Sequence, residues 1–415
     1  MGLLVGGIHM KNIVEINSYN IGSTGRIMKQ LKLAAEESGF CVYCCVPSER
    51  INKKNSIKNQ LFIGTIIERQ FHIKIGTWLG INEQLSVFST FRFIQKLKQL
   101  QPKLIHLHNL HNCYINLPML FRYIRKNNIP IVWTLHDCWA FTGRCPHFLI
   151  TGCNRWKSTC GHCKYEKKEY PYAHVDSSKR SLRLKKKCYE NIDKVKIIAP
   201  SYWMKRMVNE SILSEYDVEV INNGIDLSVF KPRQSNFRKK HGIDDDCTML
   251  LGVSFDWNDK KGLNDFIKLA CELPPFYVTV LVGINKKTSN ELPNNIIPIE
   301  RTENQEELAE IYTAADIFVN PTKEDTFSLV NIEALACGTP VITYKSGGAA
   351  ESIVEGCGLV INSGEYADLK DGILGFDLMR KNSIEDLCIN QAKNYDSKKI
   401  YKKYIEVYKE MIKDE

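Results

Sequence analysis

"NPTKEDTFSLVNIEALACGTPVITYKSGGAAE", residues 320–351, decides how the chain is built. A strand ends at Pro321, a polar loop carries Glu324 and Asp325, and a helix begins near Ser328 with Glu333 inside it. Gly338-Thr339-Pro340 stops that helix, the β-branched run "TPVITY" (339–344) follows, and Gly347-Gly348 opens a second loop where backbone can approach a ligand closely. A helix N-terminus offers unpaired N–H groups and a positive dipole end, which suits an anion. Carboxylates just before it and inside it suit the hydroxyls of a sugar or ribose. The plainer alternative is an N-terminal acid on an ordinary amphipathic helix.

The same alternation of short β-branched runs and helical patterns extends in both directions. Upstream it includes "NIVEIN" (12–17), "CVYCCV" (41–46), "KLIHLH" (103–108), "IPIVWTL" (129–135), "VKIIAP" (195–200) and "VEVIN" (218–222). It begins afresh with "TMLLGVS" (248–254), "FYVTVLVG" (276–283) and "ADIFVNP" (315–321). Such a pattern predicts an α/β fold of two doubly wound, Rossmann-like units, with a polar joint near 230–245. The expected domains are 11–232, with a Cys-rich loop at 138–163, and 233–395. A helix over 396–415 is expected to pack back on the first. Ligands of such sheets bind outside the carboxyl ends of the strands, so the expected site is a central cleft faced by both domains.

A chain of 415 residues, 44% hydrophobic and 25% charged, has the composition of a globular protein. No apolar run approaches the roughly 20 residues of a membrane span. Residues 1–10 read as an expression scar with Met10 as the native start. No secretory signal is seen, and most of the 15 cysteines are scattered singly, so a cytoplasmic setting is expected. The net charge of +9 suits nucleic acid, an anionic membrane or phosphate-bearing substrates alike.

Taken as a string, 320–351 closely resembles the donor-site signature of the large retaining GT-B family of nucleotide-sugar glycosyltransferases, E-x(7)-E followed by A-x-A-x-G-x-P-V. Glu333 to Val341 matches it. Eight places before Glu333 stands Asp325, so the first acid is either Asp325 or its neighbour Glu324. "NNGIDLSVFKP" (222–232), "DKKGLNDFIKLA" (259–270) and "NQEELAEIYTAADIFVNP" (304–321) resemble further family segments. The resemblance implies that Lys261 meets the donor diphosphate. Where the family often has an upstream arginine, this chain has Ser254-Phe255-Asp256-Trp257, so that partner is missing or displaced.

The resemblance further implies a catalytic set of His136, Asp325 and Glu333, with His136 in a T-x-H motif facing the donor sugar. It implies donor binding by Glu324, Phe327, Ser328 and Leu329. Gly22, Gly25 and Arg26 of "NIGSTGRI" (20–27) would lie over the donor phosphates. His108, His111 and Asp137, with His106, are expected on the acceptor side. No metal is implied for the chemistry.

Cys145, Cys153, Cys160 and Cys163, spaced C-x7-C-x6-C-x2-C, suit a structural zinc; buried free thiols are the alternative. The basic stretch "SSKRSLRLKKKCYENIDKVK" (177–196) reads as an amphipathic helix, either a solvated charged face or one drawn to anionic lipid.

The expected protein is therefore a cytoplasmic retaining glycosyltransferase, peripheral at the inner face of the membrane. It would move a hexose-type sugar from a nucleotide-sugar donor, by default a UDP-sugar, to a glycan or lipid-linked acceptor in surface polysaccharide synthesis, with no nucleic-acid partner. The rivals are a basic zinc-containing nucleic-acid-binding protein and a nucleotide-sugar epimerase on the same fold.

Overall fold

The computed structural model describes residues 10–163, 174–362, 364–377 and 381–413. The chain divides into two units. One holds residues up to Ile221 together with those from Tyr401 onward, and the other is Asn222–Ile400.

The first unit is built on seven parallel strands: β1 (Lys11–Ile16), β2 (Phe40–Pro47), β3 (Gln60–Ile63), β4 (Leu104–Leu107), β5 (Ile131–Thr134), β6 (Val195–Ala199) and β7 (Asp217–Val220). Their order is β3-β2-β1-β4-β5-β6-β7, so the winding reverses between β1 and β4. Every residue of β4 and β5 is buried, as expected of parallel strands covered on both faces. Val14, Ile16, Ile105, Leu107, Ile131 and Trp133 contribute the sheet's share of the core.

The second unit has β8 (Thr248–Val253), β9 (Tyr277–Val282), β10 (Ile296–Ile299), β11 (Ile317–Asn320), β12 (Val341–Tyr344) and β13 (Gly358–Ile361). Their order, β10-β9-β8-β11-β12-β13, again reverses beside the first strand. Both sheets thus follow the doubly wound plan, which puts ligand-binding loops at the carboxyl ends of the strands flanking the reversal. For the first sheet those loops follow β1 and β4, with the loop after β5 next to them; for the second they follow β8 and β11, with the loop after β12 next to them.

The division at 221/222 precedes the joint expected at 232/233 because Ile225 and Phe230 already belong to the second core. The Ile225 N–H donates to the Tyr395 carbonyl at 2.9 Å, and the Ser397 N–H donates back to Ile225 at 2.9 Å. The closing helix, Ser397–Ile412, then enters the first unit, where Tyr404 and Tyr408 are buried. Among the described residues no helix is long and apolar enough to cross a membrane.

Candidate active site

In the first unit the loops after β1, β4 and β5 are stitched together. The Ser18 hydroxyl donates to the carbonyls of Asn109 and His111 at 3.0 and 2.7 Å. The Trp133 indole donates to the His108 carbonyl at 3.2 Å. Three of the expected histidines meet here. His108 Nδ1 and His136 Nε2 are 2.9 Å apart with their rings nearly parallel, and His111 Nε2 is 2.8 Å from Asp137 Oδ2. Burial pushes His136 down to about 4, so it is neutral near pH 7 and offers one donor and one acceptor. Burial alone would raise Asp137, but His111, His147 and the Trp139 N–H together hold its carboxyl down to about 2. Asp137 also accepts the Trp139 N–H at 2.8 Å, which fixes the start of the following loop.

The glycine-rich turn lies after β1. Gly22 is exposed at φ +70°, and Arg26 is exposed one turn further along the helix Gly22–Glu37. Gly25 is buried, and a Cβ there would stand 2.3 Å from the Asn20 carbonyl carbon, so only glycine lets the turn lie down on the helix.

His106 adjoins this group, its ring centroid 4.1 Å from that of His108, but has polar partners of its own. It lies within β4, fully buried, with Nδ1 2.6 Å from the Tyr408 hydroxyl and Nε2 2.8 Å from Thr134 Oγ1. The expectation that it lines the acceptor side is corrected: it ties the terminal helix to the sheet. Glu15 of β1 brings an oxygen within 4.8 Å of ring nitrogens of His106 and His108, and it accepts from the Tyr408 hydroxyl at 3.3 Å.

Burial raises Glu15 from 4.5 to about 8. A group whose folded pKa exceeds its unfolded one contributes stability below the unfolded value, and that contribution is lost as pH rises through the folded one. Glu15→Gln is therefore expected to lose less stability than the wild type between about pH 5 and about pH 8, read from urea midpoints. Equal losses would show Glu15 to be ionised in the fold.

In the second unit the decisive stretch folds as expected. The helix runs Leu329–Ala336 from an N-cap at Ser328 that makes no side-chain cap bond, so its first N–H groups are left for another acceptor. Glu333 is buried, with Tyr312 donating to it at 3.3 Å. Ser328 is held by the Asn320 amide at 2.9 Å, and Phe327 is buried beneath the loop, while Leu329 is half-buried. Asp325 and Glu324 each face a lysine. Lys261 Nζ is 3.5 Å from Asp325 Oδ2 and 3.4 Å from Thr322 Oγ1, and Lys260 Nζ is 3.8 Å from Glu324 Oε2. Glu324 is the more buried acid. The loops approach this closely because Gly262, at φ +78°, packs against Pro321, where a Cβ would stand 2.4 Å from the ring.

Lys260 was not expected, since the K-G match points only to the second lysine of the pair. Nor was Arg301, whose guanidinium lies 4.4 Å from the Phe255 ring and so brings a cation to the loop where the upstream arginine is missing.

The cysteine loop after β5 is gathered but not closed. The thiols of Cys145 and Cys163 are hydrogen-bonded, with Cys153 and Cys160 beside them. The Gly143 N–H points to Cys160 Sγ at 3.3 Å, and Asp176 accepts the Cys163 N–H at 2.9 Å. None of the cysteines is in a disulfide. Among the described residues, trios of ligand-bearing side chains converge within 4.8 Å at Glu15-His106-His108 and at Asp244-Asp246-Cys247. A metal would therefore have to draw the four cysteines closer together. The loop also has an apolar anchor of its own: Trp156 is buried against Phe141 and Phe148, at centroid distances of 5.3 and 4.7 Å.

The basic stretch is helical only over Ser178–Tyr189, because β6 begins at Val195. Lys185, expected on its charged face, is wholly buried. Its ammonium donates to the carbonyls of Trp139 and Thr142 at 2.7 and 3.1 Å and lies 3.5 Å from the Trp139 ring centroid. It fastens the start of the cysteine loop. Lys179, Arg180, Arg183, Lys186 and Lys187 remain exposed.

Residues 25–229 match the family described as Glycosyltransferase Family 4, and 233–394 match Glycosyl transferases group 1. Among curated proteins, the chain is 24% identical over 277 residues to the colanic acid biosynthesis glycosyl transferase WcaC of Escherichia coli (strain K12), covering 65% of this chain and 66% of that one. It is 25% identical over 231 residues to the N-acetyl-alpha-D-glucosaminyl L-malate synthase of Bacillus anthracis, covering 53% and 60%. The chain thus spans a little under two thirds of these relatives' length. Among solved structures, sucrose-phosphate synthase from Thermosynechococcus elongatus superposes with a TM-score of 0.73 at 18% identity, over 98% of this chain and 100% of that one. Anabaena HepE, solved with UDP and glucose, superposes with a TM-score of 0.67 at 15% identity, over 96% and 100%.

Proposed function

We propose that this protein, a GT-B glycosyltransferase whose two halves are both glycosyltransferase domains, transfers a sugar from a nucleoside diphosphate sugar with retention of configuration. The acceptor is a glycan or lipid-linked glycan presented at an anionic membrane surface on the cytoplasmic side. The observation that carries this reading is the arrangement after β11: two lysines facing two acids, Lys261 with Asp325 and Lys260 with Glu324, before an uncapped helix N-terminus with Glu333 buried inside.

As the glycosidic bond breaks, negative charge grows on the leaving diphosphate. Lys261, already held by Asp325 and Thr322, and the helix N–H groups are oriented before that charge appears, which is when such groups help most. Asp325 and Glu324 accept hydrogen bonds from sugar hydroxyls, and Glu333, fixed by Tyr312, takes the ribose. Neutral His136 can donate to or accept from the transferred sugar without adding charge. The HepE complex supports UDP as the nucleotide. The four cysteines support a structural zinc that shapes the loop after β5 and takes no part in bond breaking.

Thermal-shift measurements with UDP-, GDP- and ADP-sugars test the donor: one held at 100 times its Kd stabilises by about 2.7 kcal/mol. A shift with none of them would remove the donor assignment. A β-linked product from an α-linked donor would remove retention.

A further inference from the structure

The helix Ile66–Leu79 is inside out. Glu68, Arg69 and His72 of this helix face the protein. His72 is buried between Ser86 Oγ at 2.6 Å and the Asn82 carbonyl at 2.7 Å. Arg69 donates to the Asn112 carbonyl at 3.0 Å and pairs with Glu49 at 2.7 Å, and Glu68 accepts the Ser89 N–H at 2.8 Å. Three of its large apolar residues face out: Ile67 is 80% exposed, Phe71 64% and Trp78 66%. At 100° per residue these three fall within about 40° of one another, a single stripe.

The stripe continues at both ends. At one end Gly64 and Glu68 meet Ser89, the third residue of the helix Val87–Leu100, whose Phe88 and Phe91 are 75% and 55% exposed. At the other, the Trp78 ring lies 5.2 Å from His174, and Arg180 donates to the Leu79 and Gly80 carbonyls at 2.8 and 2.9 Å. This leads directly onto the exposed basic face of the helix Ser178–Tyr189. Exposed Lys74 stands within the stripe, and exposed Arg92 and Lys96 stand beside Phe88 and Phe91.

Aromatic and aliphatic side chains displayed together this way exceed the scattered exposure normal for a surface and mark a contact surface. The charges choose the occupant. The exposed neighbours named are all cationic, and an apolar stripe with a cationic border is the makeup of an element that lies in a membrane interface, where apolar burial and attraction to anionic head groups add. We propose that Ile67, Phe71, Trp78, Phe88 and Phe91 dock the first domain on an anionic lipid bilayer, with Lys74, Arg92, Lys179 and Arg183 on the head groups. This deepens the functional reading and rests on it only in placing the acceptor at a membrane. The basic helix supplies charge, and the apolar footing lies on elements whose sequence pattern does not announce it.

The other five tryptophans are buried, so Trp78 alone reports the surface. Vesicles of phosphatidylcholine with phosphatidylglycerol are expected to bind the full chain and shift its tryptophan emission to the blue. Vesicles of phosphatidylcholine alone should bind at least tenfold more weakly, and added salt should narrow the difference. Trp78→Phe should abolish the blue shift while binding persists. Phe71→Ser with Phe88→Ser should weaken vesicle binding at least tenfold with an unchanged unfolding midpoint, since both side chains are already in water. Transfer to a water-soluble acceptor should be unchanged in both variants.

Equal binding to both vesicle types, no binding, or unaltered binding by the serine variant would overturn the proposal. So would dimerisation of the wild type that the serine variant abolishes, which would make a second copy the occupant. Vesicle binding as described without transfer to any acceptor would instead overturn the functional reading and leave the docking surface standing.

Discussion

Lys261→Ala is expected to lower kcat by about 10²–10³-fold, the cost of removing one preorganised group that meets charge developing in a transition state. Lys261 is half-exposed and only 3.5 Å from Asp325, so its contribution to stability is small and the variant should fold normally. Before donor binds, its charge is shared with Asp325 and the Thr322 hydroxyl, both of which hold it in place rather than bury it. Lys260→Ala, one residue away but aimed at Glu324, should cost less. Steady-state kinetics at saturating donor provide the check. A rise in KM at constant kcat would mean that Lys261 binds donor and transition state equally.

Protein purified without chelator is expected to carry about one zinc per chain, held by Cys145, Cys153, Cys160 and Cys163. A structural zinc in a small isolated domain contributes about 10–16 kcal/mol of binding free energy near pH 7. Here the buried Trp156, Phe141 and Phe148 hold the loop as well. Cys160→Ser should therefore release the metal and expose the loop around 145–163 to protease, while the rest of the first domain stays folded. His136→Ala should keep the zinc and depress transfer. Metal-free protein with four titratable thiols would remove the zinc, and disulfides found by mass spectrometry would replace it.

Apart from the edge strand β7, the strands that read clearly from sequence are those paired on both sides. The ones that did not, β3, β10 and β13, are all sheet edges of four residues whose side chains are mostly half-buried or exposed. An edge strand lacks the continuous apolar run that announces its neighbours. The acid–helix stretch was legible because its residues lie within one loop and one helix. The role of His106 was not, because its partner Tyr408 lies 302 residues away. Lys185 misled for a similar reason. Helical periodicity places it among basic neighbours, but its environment is set by the carbonyls of Trp139 and Thr142, more than forty residues earlier. The outward apolar stripe of Ile66–Leu79 was hidden by the usual assumption that the apolar side of a helix faces in.

The return of the closing helix makes the first domain wait for its own completion. Ile221 leaves the ribosome 191 residues before Ile412 does, and until then the places filled by Tyr404 and Tyr408 are open. At about 5–20 residues per second the nascent domain spends roughly 10–40 s in that state while the whole of the second domain is made. Glu15, His106 and Thr134 face their missing hydroxyl partners throughout that interval. The second domain can thus fold before the first is finished, which reverses the usual N-terminal-first order of folding during synthesis.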